Sequence, residues 1–237
     1  MPRDPTGKPA VPSPIPPESK GRTKVLIIDD HPIFREGLRK VLQAEPDLVV
    51  CGEVASAAEA LAAATTTRPD VAIVDITLDH SNGIDLIKDL ELHWPGLPVL
   101  VLSNHDEALY AERCLRAGAL GYVMKHHPPE HLIEAVHNVL QGKFHFSGEI
   151  TNKILSQCGH GPVTSAGNPA ERLSDRELQV FELYGKGRTT RQIATFLHLS
   201  VKTIESHRDH IKEKLGFADS AGLVHAAVQW VESQGGL

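Results

Sequence analysis

Five short apolar runs alternating with amphipathic segments, then a stretch of helical periodicity without such runs, predict an α/β domain joined to a small all-α domain. The 237 residues leave room for two domains of ordinary size, and a shift in charge separates them. Residues 23–145 carry 10 Lys/Arg against 18 Asp/Glu, a balance of −8, whereas residues 171–237 carry 9 against 9. Within the second part, residues 186–214 concentrate seven bases against three acids. An acidic front and a locally basic back imply different partners for the two halves.

The apolar runs are KVLIID (24–29), LVVCGEV (48–54), DVAIVD (70–75), LPVLVLS (97–103) and LGYVMK (120–125), each with the length and composition of a buried strand. Segments near 32–44, 56–67, 83–93, 106–117 and 128–141 have the spacing of helices with one apolar face. Five strands with helical crossovers make a doubly wound, five-stranded parallel sheet of the flavodoxin-like order. In that topology ligands bind at the carboxyl ends of the first and third strands. The first strand ends in Asp29 and Asp30 and the third in Asp75, so three carboxylates converge on one crevice. Like charges in so small a space repel, and such a cluster usually exists to hold a cation. Helix capping would account for one of the three, but not for all. The ends of the fourth and fifth strands add Ser103 and Lys125. A hydroxyl and an ammonium beside three carboxylates and a hard cation compose a phosphoryl site.

The segments LIIDDHPIFREGL, VDITLDHSNGIDL, VLSNHDE and ALGYVMKH, within residues 23–145, resemble the receiver domain of two-component response regulators. The resemblance implies that Asp75 is the phosphoacceptor and that a sensor histidine kinase is the donor. It implies that Asp30, Asp75 and the backbone carbonyl of Thr77 bind Mg²⁺, with Asp29 helping through water. Ser103 and Lys125 would contact the phosphoryl oxygens, and Tyr122 would be an aromatic switch residue. Tyr122 also has a plainer reading as an amphipathic core residue. Many receivers have proline where this chain has Asp79, a departure that touches none of the site positions.

Residues 142–170 lose periodicity and gain Gly, Ser, Thr and Pro, as expected of a linker (146–170) with a short helix near 149–157. Four helices follow, near 174–185, 189–198, 201–215 and 219–233, in a domain spanning 171–237. LSDREL opens it as a capping box, Ser174 with Glu177. A short helix, the tight LHLS turn and a second helix with local base excess read as a helix-turn-helix over about 189–208. The stretch from LSDRELQVF to DSAGLV resembles the LuxR-type helix-turn-helix of NarL/FixJ-type response regulators. At about 100° per residue, Ile204, Ile211 and Leu215 share the core face of the third helix. Lys202, Ser206, Asp209 and Glu213 point away from it, with Glu205 and Lys212 on the flank. The resemblance places base-reading residues at Glu205, Ser206 and Asp209, and Thr203, His207 and Arg208 nearer the DNA backbone or the domain core. Lys202 and Lys212 remain for phosphate contacts. A carboxylate in the major groove can accept from cytosine N4. The alternative is pairing along the helix, Glu205 with Arg208 or Asp209 with Lys212.

The N-terminal stretch MPRDPTGKPAVPSPIPPESKGRTK has seven prolines in its first 17 residues and no apolar leader segment, so residues 1–22 are expected to form a disordered, partly extended tail. No apolar run is long enough to cross a bilayer. Cys51, Cys114 and Cys158 are few, odd in number and far apart, which suits free thiols in a reducing compartment. Both features point to the cytoplasm and away from a membrane. His126, His127 and His131 are the densest of 14 histidines, but no Cys or acidic ligand follows at metal spacing. Packed or solvated histidines are therefore favoured over a zinc site. The expected protein is a transcription-regulating response regulator rather than an enzyme. It would dimerise when phosphorylated and bind two half-sites in double-stranded DNA. One rival is an aspartate-based phosphatase, although the second acid such hydrolases need two residues after the nucleophile is here Thr77. The other is an interaction protein whose acidic recognition helix holds no DNA.

Overall fold

A computed structural model of the chain describes residues 21–78, 81–152 and 172–233. The Pro-rich tail, Asp79, Cys158 and most of the expected linker lie outside these residues. Of the helix expected near 149–157, a helical stretch over 148–152 is described.

The first part alternates β1 (Thr23–Ile28), α1 (Pro32–Ala44), β2 (Leu48–Val54), α2 (Ala57–Thr67) and β3 (Val71–Val74). A two-residue hairpin, β4 (Thr77–Leu78) and β5 (Ser81–Asn82), precedes α3 (Gly83–His93), β6 (Val99–Ser103), α4 (Glu107–Ala117), β7 (Gly121–Met124) and α5 (Pro129–Leu140). The main sheet is parallel, in the order β2-β1-β3-β6-β7, which is the flavodoxin-like arrangement. Successive side chains of a strand point to opposite faces, and the core divides accordingly. Leu26, Ile28, Ala72, Val74, Val99, Val101 and Tyr122 pack with α2, α3 and α4. Val25, Ile27, Val71, Ile73, Leu100, Leu102 and Val123 pack with residues of α1 and α5. With both faces covered, the strands read as continuous apolar runs rather than alternating ones.

The β4–β5 hairpin was not anticipated by the sequence pattern, which predicts only a polar loop there. Its basis is local: Ile76 and Leu78 are buried while Thr77 points the other way, one period of strand alternation. Asn82 closes it by capping α3, its side-chain oxygen accepting from the Ile84 N–H at 2.8 Å. The Gly83 N–H donates to the Ile76 carbonyl at 2.7 Å. A Cβ at Gly83 would sit 2.0 Å from the Asp75 carbonyl oxygen, so only glycine lets α3 start against the end of β3.

The second part comprises α6 (Asp175–Gly185), α7 (Thr190–Phe196), α8 (Val201–Leu215) and α9 (Ser220–Ser233). The Ser174–Glu177 capping box is present, and a second one, Thr189 with Gln192, starts α7. Ile204 and Ile211 of α8 are buried and Leu215 is half-buried, as the helical wheel requires. Helix α6 is closed in on every side: Leu178, Val180, Phe181, Leu183 and Tyr184 are buried, and so are Glu177, Gln179 and Glu182. Its apolar residues are continuous with the α2–α4 face of the sheet, so one core runs through both domains. Among the described residues no helix is long and apolar enough to cross a membrane.

Replacing Gly83 by alanine should cost about 1–3 kcal/mol in urea unfolding, because the backbone it meets has nowhere to move. Gly37→Ala in α1, where a Cβ meets nothing within 4 Å, should leave stability equal or higher.

Candidate functional site

The crevice is assembled by backbone first. The Asp75 N–H donates to the Ile28 carbonyl at 2.9 Å, which sets the end of β3 beside the end of β1. The Asp29 N–H donates to Val54 O at 3.1 Å and the Lys125 N–H to Ser103 O at 2.8 Å, so all five predicted positions arrive at one edge of the sheet. Asp29, Asp75 and Ser103 are buried. The Lys125 ammonium lies 2.7 Å from Asp75 Oδ2 and 2.5 Å from Asp29 Oδ2, with the Phe34 ring 4.4 Å on its other side. Burial pushes the Asp75 carboxyl above its ordinary value, and Lys125 works against that shift. Burial alone would lower the Lys125 ammonium, yet Asp75 and Asp29 more than offset it and hold the group above its usual range.

One ammonium against three carboxylates leaves the crevice short of positive charge. The Asp30 carboxyl is raised mainly by burial, with the His31 ring opposing. Its Oδ1 is shut off from solvent and receives no hydrogen bond, although His31 Nδ1 stands 2.7 Å away: the contact is close but poorly aligned. Ligand atoms of Asp29, Asp30, His31 and Asp75 all lie within 4.8 Å of one another. A buried, unpartnered carboxylate oxygen in an oxygen-rich cluster fits a hard divalent cation. Thr77 folds back over the site, its N–H 3.3 Å from Asp75 Oδ1. Tyr122 is buried at the rim and its hydroxyl donates to the His105 carbonyl at 2.7 Å, so it is both a packed residue and a polar tether of the loop after Ser103.

On α8 the predicted outward face is open: Lys202, Glu205, Ser206 and Asp209 are exposed, and Thr203, His207, Arg208 and Lys212 are half-buried. Asp209 is paired along the helix, with Lys212 Nζ 2.9 Å from its Oδ1 and Arg208 Nε at 3.9 Å. No ion pair joins Glu205 to Arg208 among the described residues.

Two family models match this chain: "Response regulator receiver domain" over residues 25–137 and "Bacterial regulatory proteins, luxR family" over residues 171–227. The chain is a two-component response regulator with a LuxR-type DNA-binding domain. The oxygen regulatory protein NreC of Staphylococcus epidermidis is 33% identical over 211 residues, covering 87% of this chain and 97% of that one. The transcriptional regulatory protein UhpA of Salmonella typhimurium is 36% identical over 201 residues, covering 85% and 95%. Among solved structures, RcsB of Salmonella enterica serovar Typhimurium, bound to promoter rprA with phosphomimetic BeF3−, aligns with a TM-score of 0.57. It is 28% identical and covers 86% of this chain and 98% of that chain.

In this response regulator the receiver crevice is roofed by the DNA-binding domain, through residues the sequence reading did not single out. Glu182 of α6 accepts from the Tyr110 hydroxyl at 2.9 Å and lies 3.1 Å from His105 Nδ1, while Lys186 Nζ reaches its other oxygen at 2.5 Å. A carboxylate only accepts, so His105 Nδ1 carries a proton, and the ring's Nε2 lies 2.9 Å from the Thr77 hydroxyl oxygen. Thr77 Oγ1 accepts in turn from the Gln179 amide at 3.1 Å. Arg113 and Lys88 of the receiver hold Asp175 at 2.5 and 3.1 Å. A cavity of about 160 Å³ remains between the domains. Asp75, Thr77 and Ser103 line its floor, and Lys186, Arg188 and Phe196 line its roof. The signal in the sequence was Glu182 itself, a carboxylate one turn after Leu178 on an apolar helix face.

Burial would raise Glu182, but His105 and Lys186 overcome it and hold the carboxyl down to about 2, against 4.5 unperturbed. A carboxyl that binds its proton more weakly when folded adds stability above its unfolded value and loses it on acidification. The stability advantage of the native protein over Glu182→Gln should therefore be full above pH 4.5 and fade as pH falls toward about 2, read by chemical unfolding across that range. At neutral pH the advantage should be about 1–3 kcal/mol.

Proposed function

We propose that a histidine phosphate on a sensor kinase donates its phosphoryl group to Asp75, and that this controls how the LuxR-type domain engages DNA. The observation that carries the reading is the Lys125 ammonium shared between Asp75 and Asp29 in a crevice that also presents Ser103. In the transfer an Asp75 oxygen bonds to phosphorus as the P–N bond of the phosphohistidine breaks, and the leaving imidazole keeps the electron pair and takes a proton. Lys125 turns from the carboxylates to a phosphoryl oxygen, and the Ser103 hydroxyl donates to another. Asp30, Asp75 and the Thr77 carbonyl would hold Mg²⁺, with Asp29 acting through water. When bound, the cation offsets the charge of the phosphoryl oxygens and the carboxylates around them.

The new acyl phosphate places roughly −2 of charge on the floor of the interdomain cavity. Lys186 would then be drawn between Glu182 and the phosphoryl group. A shift of Ser103 would carry the following His105, which is bound to both Tyr122 and Glu182. Tyr122 would thereby act as the switch, and α6 would leave its seat on the receiver. The freed protein would pair as a homodimer on two half-sites of double-stranded DNA in the cytoplasm. The RcsB structure bound to promoter rprA in the presence of phosphomimetic BeF3− supports engagement of DNA by a phosphorylated form.

On DNA, Lys202 is placed for phosphate contact and Glu205 and Ser206 for base contact, with Thr203, His207 and Arg208 nearer the backbone. Because Asp209 is neutralised by Lys212, Glu205 is the acid free to accept from cytosine N4.

A small phosphodonor with Mg²⁺ should label the protein at Asp75 alone, and labelling at the native level in Asp75→Asn would sink the assignment. Lys125→Ala should fold and yet lose the phosphorylation-dependent rise in DNA affinity, read by gel shift with and without the donor. In site selection from random DNA, Glu205→Ala should relax preference at one base pair per half-site by about 1–3 kcal/mol. Asp209→Ala should change base preference far less.

A further inference from the structure

The cavity between the domains is roofed by cations that the receiver does not supply. Helix α6 ends on Gly187, whose backbone is left-handed (φ 75°) and whose N–H donates to the Tyr184 carbonyl at 2.9 Å. The Arg188 N–H then returns to the Leu183 carbonyl at 3.1 Å, a helix-ending turn that sets Arg188 beside Leu183 on the cavity wall. The guanidinium carbon sits over the Phe196 ring, 4.4 Å from its centre. An aromatic face steadies a guanidinium without using its N–H edge. Among the described residues no carboxylate pairs with Arg188. Lys186, beside it in the roof, is already held by Glu182 at 2.5 Å, and Lys125 below by Asp75 and Asp29. Of these three cations, Arg188 alone has its charge uncommitted.

We propose that Arg188 binds the phosphate of a small acyl phosphate above Asp75, so that in the seated form the DNA-binding domain supplies a donor-binding residue of the receiver. The inference rests on reading Asp75 as the phosphoacceptor. Size selects the class of donor. The cavity of about 160 Å³ is smaller than the roughly 300 Å³ at which pockets for drug-sized molecules begin. A kinase domain presenting its histidine cannot enter it while α6 is seated, whereas a short-chain acyl phosphate can. Such a donor carries roughly −2 of charge, which the carboxylates of the floor repel. The free guanidinium edge offsets that repulsion, and its planar fork can hold two phosphate oxygens at once. In the transfer an Asp75 oxygen bonds to phosphorus as the P–O bond to the acyl group breaks. The departing carboxylate keeps the electron pair and needs no proton. Donor and product pass His31 and Asn104, the exposed residues on the receiver side of the cavity.

The test uses the full-length protein with Mg²⁺ and acetyl phosphate, and follows the phosphorylated fraction by intact-mass spectrometry as the donor concentration is varied. Arg188→Ala should raise the half-saturating donor concentration about tenfold. Its maximal rate should stay within about twofold of native, because Lys125 and Ser103 are untouched. Arg188→Lys should recover part of the loss. Arg191→Ala, which removes a neighbouring base outside this cavity, should behave as native. An unchanged half-saturating concentration in Arg188→Ala, an equal rise in Arg191→Ala, or a fall in maximal rate alone overturns the proposal and leaves Asp75 as the acceptor. Label absent from the native protein, or retained in Asp75→Asn, overturns the reading of Asp75 beneath it.

Discussion

The Lys125 ammonium, held between Asp75 and Asp29, is the interaction on which the rest of the receiver depends. Three carboxylates at adjacent strand ends repel each other in a space that water barely enters, and a parallel sheet brings them there regardless. One buried cation spanning two of them makes the arrangement tolerable while leaving a deficit of positive charge. Under the proposed reading, an incoming cation and phosphoryl group would complete a balance the protein alone leaves open. Burial first, and the neighbouring Asp29 carboxylate after it, explain why Asp75 and Asp30 both sit above their ordinary carboxyl values. Their ionised forms are therefore costly where no cationic partner lies close.

Helix α6 belongs to two structures at once. It is the first helix of the DNA-binding domain, packed closely enough on α9 that a Cβ at Gly185 would lie 2.4 Å from the Ala227 carbonyl oxygen. It also roofs the crevice of Asp75 and Ser103, held to the receiver through Gln179, Glu182 and Asp175. A helix buried on all faces normally carries apolar residues all round. Here buried polar groups take part of the surface, and each finds its partner on the receiver or within its own domain. Such a contact loses much of its worth when a single partner is displaced, because the remaining charge stays buried and unpaired. The rearrangement after Ser103 proposed above would act directly on this seat, through His105.

The strands and helices were legible because they obey strong rules: runs buried on both faces, helices with one apolar stripe, and a capping box at Ser174. The five polar positions at the strand ends were legible for the same reason, since the topology dictates where strand ends meet. The β4–β5 hairpin was not, because two-residue strands carry too little periodicity to register, and only burial of Ile76 and Leu78 reveals them. The contact between domains was also hidden. Nothing in the linear pattern says which face of α6 meets the receiver, although Glu182 on an apolar face was a sign that some cationic or hydroxyl partner must exist. Of the two acids considered for base reading, Asp209 makes the i, i+3 ion pair with Lys212 and Glu205 makes none with Arg208 among the described residues, a difference that spacing alone leaves open.

The outward face of α8 stays exposed while α6 is seated, so the residues expected to meet bases are not hidden by it. What it occupies is the crevice, the α6 surface and the roof residues Lys186 and Arg188. Under the proposed reading, control would come through the separation of the domains, which would set whether two DNA-binding units can approach each other and two half-sites together. Linkage makes that control reciprocal. If seating of α6 disfavours phosphoryl transfer to Asp75, any DNA that holds the domains apart must favour transfer by the same equilibrium factor. The promoter and the phosphodonor would in that sense be ligands of one opened state, and the Glu182–His105–Thr77 chain joins the two domains where their effects would meet.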